Sequence, residues 1–210
     1  MQETIFTIGH STHSQARFVS LLRQHRVTAL CDVRSQPYSR VNPQFNREEL
    51  KKSLRAFEIK YVFLGKELGA RTQDPTCYDD GKVRYDRLAR TELFRQGLER
   101  VLKGAKVYRV ALMCAEKEPL ECHRTILVAR HLAELGFEIQ HIHADGTLES
   151  HADAMNRLAN MLKLGEKEHH LFRSSEELLV EAYHLQEERI AYDAGANASS
   201  NVRTLRSAAG

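Results

Sequence analysis

With 210 residues, 42% of them hydrophobic, the chain is long enough to bury one substantial core and short for two. Its 31 basic and 28 acidic residues leave a formal net charge of +3, too little for a whole-surface footprint for nucleic acid or anionic membrane, so any anion preference has to be local. No apolar run approaches the roughly 20 residues of a spanning helix, no basic-then-apolar leader opens the chain, and four cysteines do not make a disulfide framework, so a soluble cytoplasmic protein is expected.

Thr4 to Ile8 reads as a strand running into a polar loop, Gly9 to Thr12. Phe18, Leu21, Leu22 and His25 then recur at helical spacing behind Ser14 as N-cap. A second strand, about Val27 to Val33, delivers Asp32 and Arg34 into SQPYSRVNP, whose prolines and lack of periodicity mark a loop. Asn46 with Glu49 predicts a helix N-terminus, stapled by Phe45 and Leu50, with Leu50, Leu54 and Phe57 as its buried stripe. A third strand, Lys60 to Leu64, precedes a long glycine- and charge-rich loop, GKELGARTQDPTCYDDGKVRY, of the kind that is usually functional or mobile. One helix is expected over Asp86 to Leu102 with Gly104 at C′, and a fourth strand over Val107 to Met113.

The stretch from Cys114 to Arg124, CAEKEPLECHR, packs two thiols, an acid, an imidazole and a guanidinium between that strand and a helical pattern over Thr125 to Leu135. Cys122 therefore opens a helix, whose unpaired N–H groups and dipole favour anions and a thiolate. Gly136 ends this helix, Phe137 to His143 is a fifth strand with His141 and His143 on its two sides, and a further helix starts near Ser150. Ser174 with Glu177 forms a capping-box pattern ahead of Leu178, Leu179, Ala182, Leu185 and Ile190, an amphipathic helix packed on the domain or on a partner. The expected organisation is a domain over 1–165, this C-terminal helix over 166–192, and a disordered tail over 193–210 that has too few large apolar residues to order itself.

Strands alternating with helices predict the α/β class: three layers, a mainly parallel sheet with helices on both faces, Rossmann-like but without a dinucleotide fingerprint. Sites in such sheets form at the carboxyl ends of strands. That rule lines up His10, then Asp32 with Arg34, then Arg71, then Cys114 with Glu116, then Asp145, along one edge.

Taken together, TIGHST, DVRSQPYSR, LGKELGAR, CAEKEPLECHR and HIHADG resemble the domain of unknown function 488 family, from about Ile5 to Tyr192. The resemblance implies an α/β domain with the motif-bearing residues as its site, and it implies no reaction. A three-residue similarity of ECHRT to the Pro-Cys-His-Arg tetrapeptide of DNA alkyltransferases has Glu121 in place of proline and no helix-turn-helix around it.

The residues assigned to chemistry are Cys122 and Cys114 as nucleophile, with Glu116, His10 or His123 moving protons; His123, adjacent to Cys122 on a helix, points away from it and is the poorer base. Arg34, Arg40, Arg71 and Arg124, with Asp32 orienting Arg34, are expected to recognise phosphate or carboxylate on a small anionic molecule or a nucleic acid. Gly9 before His10 suits close approach of a ligand. No metal ligand is assigned, since Cys114, Cys122 and His123, even with Cys77 or His10, lack the short Cys-x-x-Cys pairs of common zinc sites. A Cys114–Cys122 disulfide requires the loop to double back. An enzyme of the cytoplasm is the leading reading; a non-catalytic phosphate- or nucleic-acid-binding module and a zinc-stabilised interaction domain are its rivals. No membrane partner is expected, and cofactor and oligomeric state stay open.

Overall fold

The computed structural model describes residues 3–164 and 173–195. Its strands are β1 (Thr4–Gly9), β2 (Ala29–Asp32), β3 (Lys60–Phe63), β4 (Tyr78–Asp79), β5 (Lys82–Val83), β6 (Val110–Cys114), β7 (Glu138–Ile142) and β8 (Leu148–Ser150). The helices are α1 (Gln15–Gln24), α2 (Arg47–Arg55), α3 (Tyr85–Ala89), α4 (Glu92–Ala105), α5 (Arg130–Glu134), α6 (His151–Met161) and α7 (Ser175–Ile190), and a π-helical turn, Arg124–Ala129, runs directly into α5.

The main sheet has the order β3-β2-β6-β1-β7-β8, parallel throughout except for β8, which returns antiparallel to β7. Side chains alternate across it. Phe6, Ile8, Leu30, Ala111 and Met113 turn to one face and bury against Phe18, Leu21 and Leu22 of α1 and Leu50 and Leu54 of α2. Ile5, Ala29, Cys31 and Leu112 turn to the other and bury against Phe94, Leu98, Ile126, Leu127 and Leu158. Each of the leucine, isoleucine, methionine and phenylalanine side chains among them contributes about 1.5–3 kcal/mol on burial. The result is the three-layer α/β fold that the alternating pattern predicts.

The strand order also positions the site. The chain leaves β1 for α1 on one face, whereas it leaves the adjacent β6 for the π turn and α5 on the other. Neighbouring strands whose crossovers depart to opposite faces open a crevice at their carboxyl ends. β6 lies at its centre, flanked by β1 and β2.

Several local expectations differ. The helix expected over Asp86 to Leu102 is two, because Thr91 interrupts it and caps α4 by accepting from the Phe94 N–H. Gly104 falls inside the last turn of α4 rather than after it, and Val107, expected in a strand, is exposed ahead of β6. The long loop after β3 contains the hairpin β4-β5, turned by Asp80 and Gly81, both at positive φ. Asp-Gly between two short β-branched or aromatic segments is a hairpin signal that was legible in YDDGKV. Phe57 is exposed, with Arg23 over its ring, and so leaves the α2 stripe. Asn46 has N-cap backbone geometry, but its side chain accepts from the Ser39 N–H instead. Ser14 and Ser174 cap as expected, the latter in a full capping box with Glu177.

His141 and His143 do not divide between the sheet's two sides, since positions two apart share one. His141 Nδ1 bonds the Thr7 hydroxyl, its Nε2 bonds His151 Nδ1, and His151 Nε2 bonds the Tyr183 hydroxyl, which ties α6 and α7 to the sheet. His143 pairs with Glu149. Among the described residues no helix is long and apolar enough to cross a membrane. The tail expected over 193–210 lies outside the described residues from 196 onward; Asp193 forms an isolated bridge with Lys82, and the Ala194 N–H donates to the Gly81 carbonyl.

Candidate functional site

The carboxyl ends of β2, β6 and β1 carry two adjoining clusters of buried polar side chains. In the first, Asp32 accepts from Arg34 Nε at 2.9 Å and Nη2 at 2.7 Å, and from the Tyr61 hydroxyl at 2.7 Å. The remaining Arg34 donors reach the Phe45 carbonyl and His10 Nε2. His10 completes its own set by donating from Nδ1 to the Ser11 carbonyl while its ring stacks on Phe45. Burial lowers the His10 pKa to about 4, aided by the Arg34 charge, so the ring is neutral and both nitrogens are engaged.

The second cluster surrounds Cys114, the last residue of β6. Cys122 is extended (φ −137°, ψ 137°) and His123 is helical (φ −58°, ψ −25°), so the chain bends between them. Cys122 thus stands at the N-cap, its carbonyl accepting from the Thr125 and Ile126 N–H groups and its sulfur from the Arg124 N–H at 3.4 Å. The expectation that adjacent Cys and His diverge assumed both were helical, and the extended Cys122 removes that premise. His123 Nδ1 lies 3.6 Å from Cys114 Sγ and 3.9 Å from Cys122 Sγ, and the ligating atoms of all three residues lie within 4.8 Å of one another. His123 Nε2 sits 3.0 Å from the Val33 carbonyl, which can only accept; Nε2 therefore carries the hydrogen and Nδ1 is left facing the sulfurs.

Glu116 projects from an exposed loop yet turns its carboxyl inward, Oε2 lying 2.9 Å from Cys122 Sγ. One proton is shared across that contact. Burial and the neighbouring Cys122 charge raise the Glu116 pKa. Burial by itself would raise the Cys122 thiol too, but the hydrogen bond from Cys114, the Arg124 guanidinium and His123 outweigh it and hold Cys122 well below the ordinary thiol range. Cys114, desolvated and beside that sulfur, is pushed well above it. Burial opposes the charged form of His123, and the hydrogen bond and charge of Cys122 more than offset this, raising its pKa.

Arg124 is fully buried and has no carboxylate partner among the described residues. Its Nη1 and Nη2 instead hold the Glu116 and Lys117 carbonyls, which fixes the loop carrying Glu116. Gly9 is part of that arrangement: a Cβ there would stand 1.9 Å from the Glu116 carbonyl oxygen. The close approach that glycine permits is therefore by this loop, not by a ligand. Gly65 plays the equivalent part beneath the Arg34 carbonyl, 2.0 Å from its would-be Cβ, which accounts for the first glycine of LGKELGAR without any nucleotide fingerprint.

A cleft of about 300 Å³ opens over this second cluster. Cys114, Glu116 and His123 line its floor, and Arg34, Arg71 and Tyr192 its walls, while Cys122 lies beneath and does not line it. On the other side of Glu116 a second depression, of about 460 Å³, is lined by His10, Thr12, Asn42 and Lys117. The four arginines separate accordingly. Arg71 is exposed in the cleft with its guanidinium over the Tyr192 ring, Arg34 reaches the wall with its donors engaged, Arg124 lies below the floor, and Arg40 is exposed on a loop outside the lining. Asp145 accepts from Thr147 in a turn beyond β7 and does not join them. All four cysteines are free buried thiols, Cys77 lying apart in the core.

Several contributors carry little or no signal in the residues alone, Tyr61 on Asp32 among them. The Val33 carbonyl is a main-chain group and carries no sequence signal. Tyr192 and Ile190 bring the end of the C-terminal helix into the cleft wall, for which the only hint was an aromatic residue just ahead of the polar tail. Lys117 lies beside Glu116 within the central motif.

A family model described as a domain of unknown function, DUF488, matches residues 14–131. No curated protein and no solved structure matches the chain.

Proposed function

The chain belongs to the DUF488 family, a domain of unknown function, and we propose that it is an enzyme that binds a small anionic substrate against Arg71 and transforms it over the cluster of Cys114, Cys122, His123 and Glu116. The observation that carries this reading is the convergence of two sulfurs, an imidazole nitrogen and an inward-turned carboxyl at the sheet's switch point, with Cys114, His123 and Glu116 on the floor of one cleft and Cys122 directly beneath them. Groups needed only for packing would have their lone pairs answered by the fold, as those of Asp32 and His10 are. Glu116, fixed by its own carbonyl to Arg124 and within reach of both cleft and sulfur, is suited to carry a proton. The guanidinium of Arg71, exposed and braced by Tyr192, is suited to a phosphate or carboxylate.

Alkylation tests the anion reading directly. Iodoacetate and iodoacetamide react with the same thiolate and differ in charge, so the ratio of their rates at the cluster cysteines, Cys114 and Cys122, should be high in the native chain and fall several-fold in Arg71→Ala. A ratio that Arg71→Ala leaves unchanged removes the anion site. A panel of phosphate and carboxylate esters then separates enzyme from binding module: Glu116→Gln should keep binding and lose roughly 10²–10⁴ in turnover, the usual worth of a positioned proton carrier.

A further inference from the structure

We infer that Cys114, Cys122 and His123 form a preorganised site for a divalent transition-metal ion of the zinc class, held by two thiolates and one imidazole with its fourth position facing the cleft. The inference rests on the cleft reading above and names what works at its floor.

Zinc bonds of about 2.3 Å to sulfur and about 2.0–2.1 Å to nitrogen, set at tetrahedral angles, require ligand atoms about 3.5–3.8 Å apart. His123 Nδ1 stands 3.6 and 3.9 Å from the two sulfurs, close to the required separations, and because all three atoms lie within 4.8 Å of one another the sulfurs have to close on each other by no more than about 1 Å. The imidazole is oriented as in metal centres generally: the nitrogen away from the cluster donates to a main-chain carbonyl, that of Val33, which leaves the other lone pair aimed at the sulfurs. The Arg124 N–H points at Cys122 Sγ, a contact suited to a metal-bound thiolate. Charge agrees as well. Among the described residues Arg124 is buried without a carboxylate partner, and a divalent cation, two thiolates, the Glu116 carboxylate and this guanidinium sum to zero. Two soft sulfurs and one imidazole select zinc over magnesium or calcium.

The site is open. Cys114 and His123 line the cleft, and the Glu116 carboxylate, within reach of Cys122 Sγ, is not part of the three-atom ligand set. Three protein ligands with an open fourth position mark catalytic rather than structural zinc sites. Water bound there loses a proton to Glu116, its oxygen forms a bond to the electrophilic carbon or phosphorus of the anion held by Arg71, and the bond to the leaving group breaks as Glu116 returns the proton to that group. The substrate class is accordingly a hydrolysable phosphate or carboxylate derivative.

The test uses the full chain, reduced and stripped with a chelator, then titrated with zinc or cobalt(II) and followed by native mass spectrometry and absorption. Stoichiometric zinc is expected, and cobalt(II) should give thiolate charge-transfer bands with the strong visible bands of a tetrahedral ion. Cys114→Ser and His123→Ala, each checked for native circular dichroism, should weaken zinc by roughly a hundredfold or more. Glu116→Gln and Arg71→Ala should leave zinc stoichiometry intact. A folded, reduced native chain that binds neither metal at micromolar concentration overturns the inference, as does a cobalt spectrum without thiolate bands. Anion binding that depends on Arg71 in a chain without metal affinity sinks the metal site alone. Bound zinc without Arg71-dependent anion binding sinks the cleft reading alone.

Discussion

Two clusters sit side by side at the ends of β2, β6 and β1, built from overlapping residue types. Around Asp32, Arg34, His10 and Tyr61 each acceptor has its donor: the carboxylate takes two guanidinium bonds and a phenol, and the imidazole spends both nitrogens on the fold. Around Cys114, Cys122, His123 and Glu116 the fold supplies second contacts, to Val33 and Arg124, and leaves the first-rank atoms facing one another. Residue type does not distinguish a structural histidine from a chemical one. What does is where the second nitrogen's bond goes, because a ring anchored at one nitrogen and directed at a shared point with the other is preorganised for a ligand or a proton.

The hardest way to break this contrast is to remove the acid of the saturated cluster. Asp32→Ala leaves the Arg34 guanidinium buried and unpaired, and chemical denaturation should register a loss of about 3–5 kcal/mol; a stable variant would mean that Arg34 was never held by this pair.

Acid tests the neutral histidines next. His10 and His151 are held by burial at about 4 in the folded chain, whereas unfolded histidine titrates near 6.5. The unfolded state therefore binds more protons between these values, so stability is whole above about pH 6.5 and is lost as pH falls toward 4. At pH 5 each should cost about 2 kcal/mol. Denaturation midpoints that stay flat from pH 7 to 5 would show that these rings are protonated in the fold.

Tyr61→Phe removes one hydrogen bond to the Asp32 carboxylate and should cost about 1.5 kcal/mol without altering Cys114 alkylation, which would keep the two clusters energetically separate. The smallest effect belongs to Arg40→Ala. Exposed outside the cleft lining, it should stay within about 0.5 kcal/mol in stability and leave the iodoacetate-to-iodoacetamide ratio at its native value; a fallen ratio would return Arg40 to the anion site.

How much of this was legible follows from the physics of each signal. The layers were readable because apolar periodicity survives in sequence, from Phe18, Leu21 and Leu22 to Leu50 and Leu54. Proximity of Cys114, Glu116 and Cys122 was readable because they share one loop at one strand end. The separation of the arginines was not, since side-chain direction depends on strand order, and the β2-β6-β1 adjacency turns Arg34 and Arg124 inward while Arg71 arrives from the loop after β3. Nor was the meeting of Cys122 with His123. That depends on a single extended residue ahead of a π turn, and neighbouring residue types do not encode a φ of −137°.

The cleft wall contributed by Ile190 and Tyr192 has a consequence for the order in which the protein is made. Every floor residue has left the ribosome's active centre by Arg124, whereas the wall and the aromatic brace of Arg71 come from the far end of α7. At roughly 5–20 residues per second, translation leaves an interval on the order of seconds in which Cys114 exists on the nascent chain and the cleft wall over it does not. The floor of the cleft is thus complete in sequence well before its wall, and the closed cleft is among the last features the chain can form.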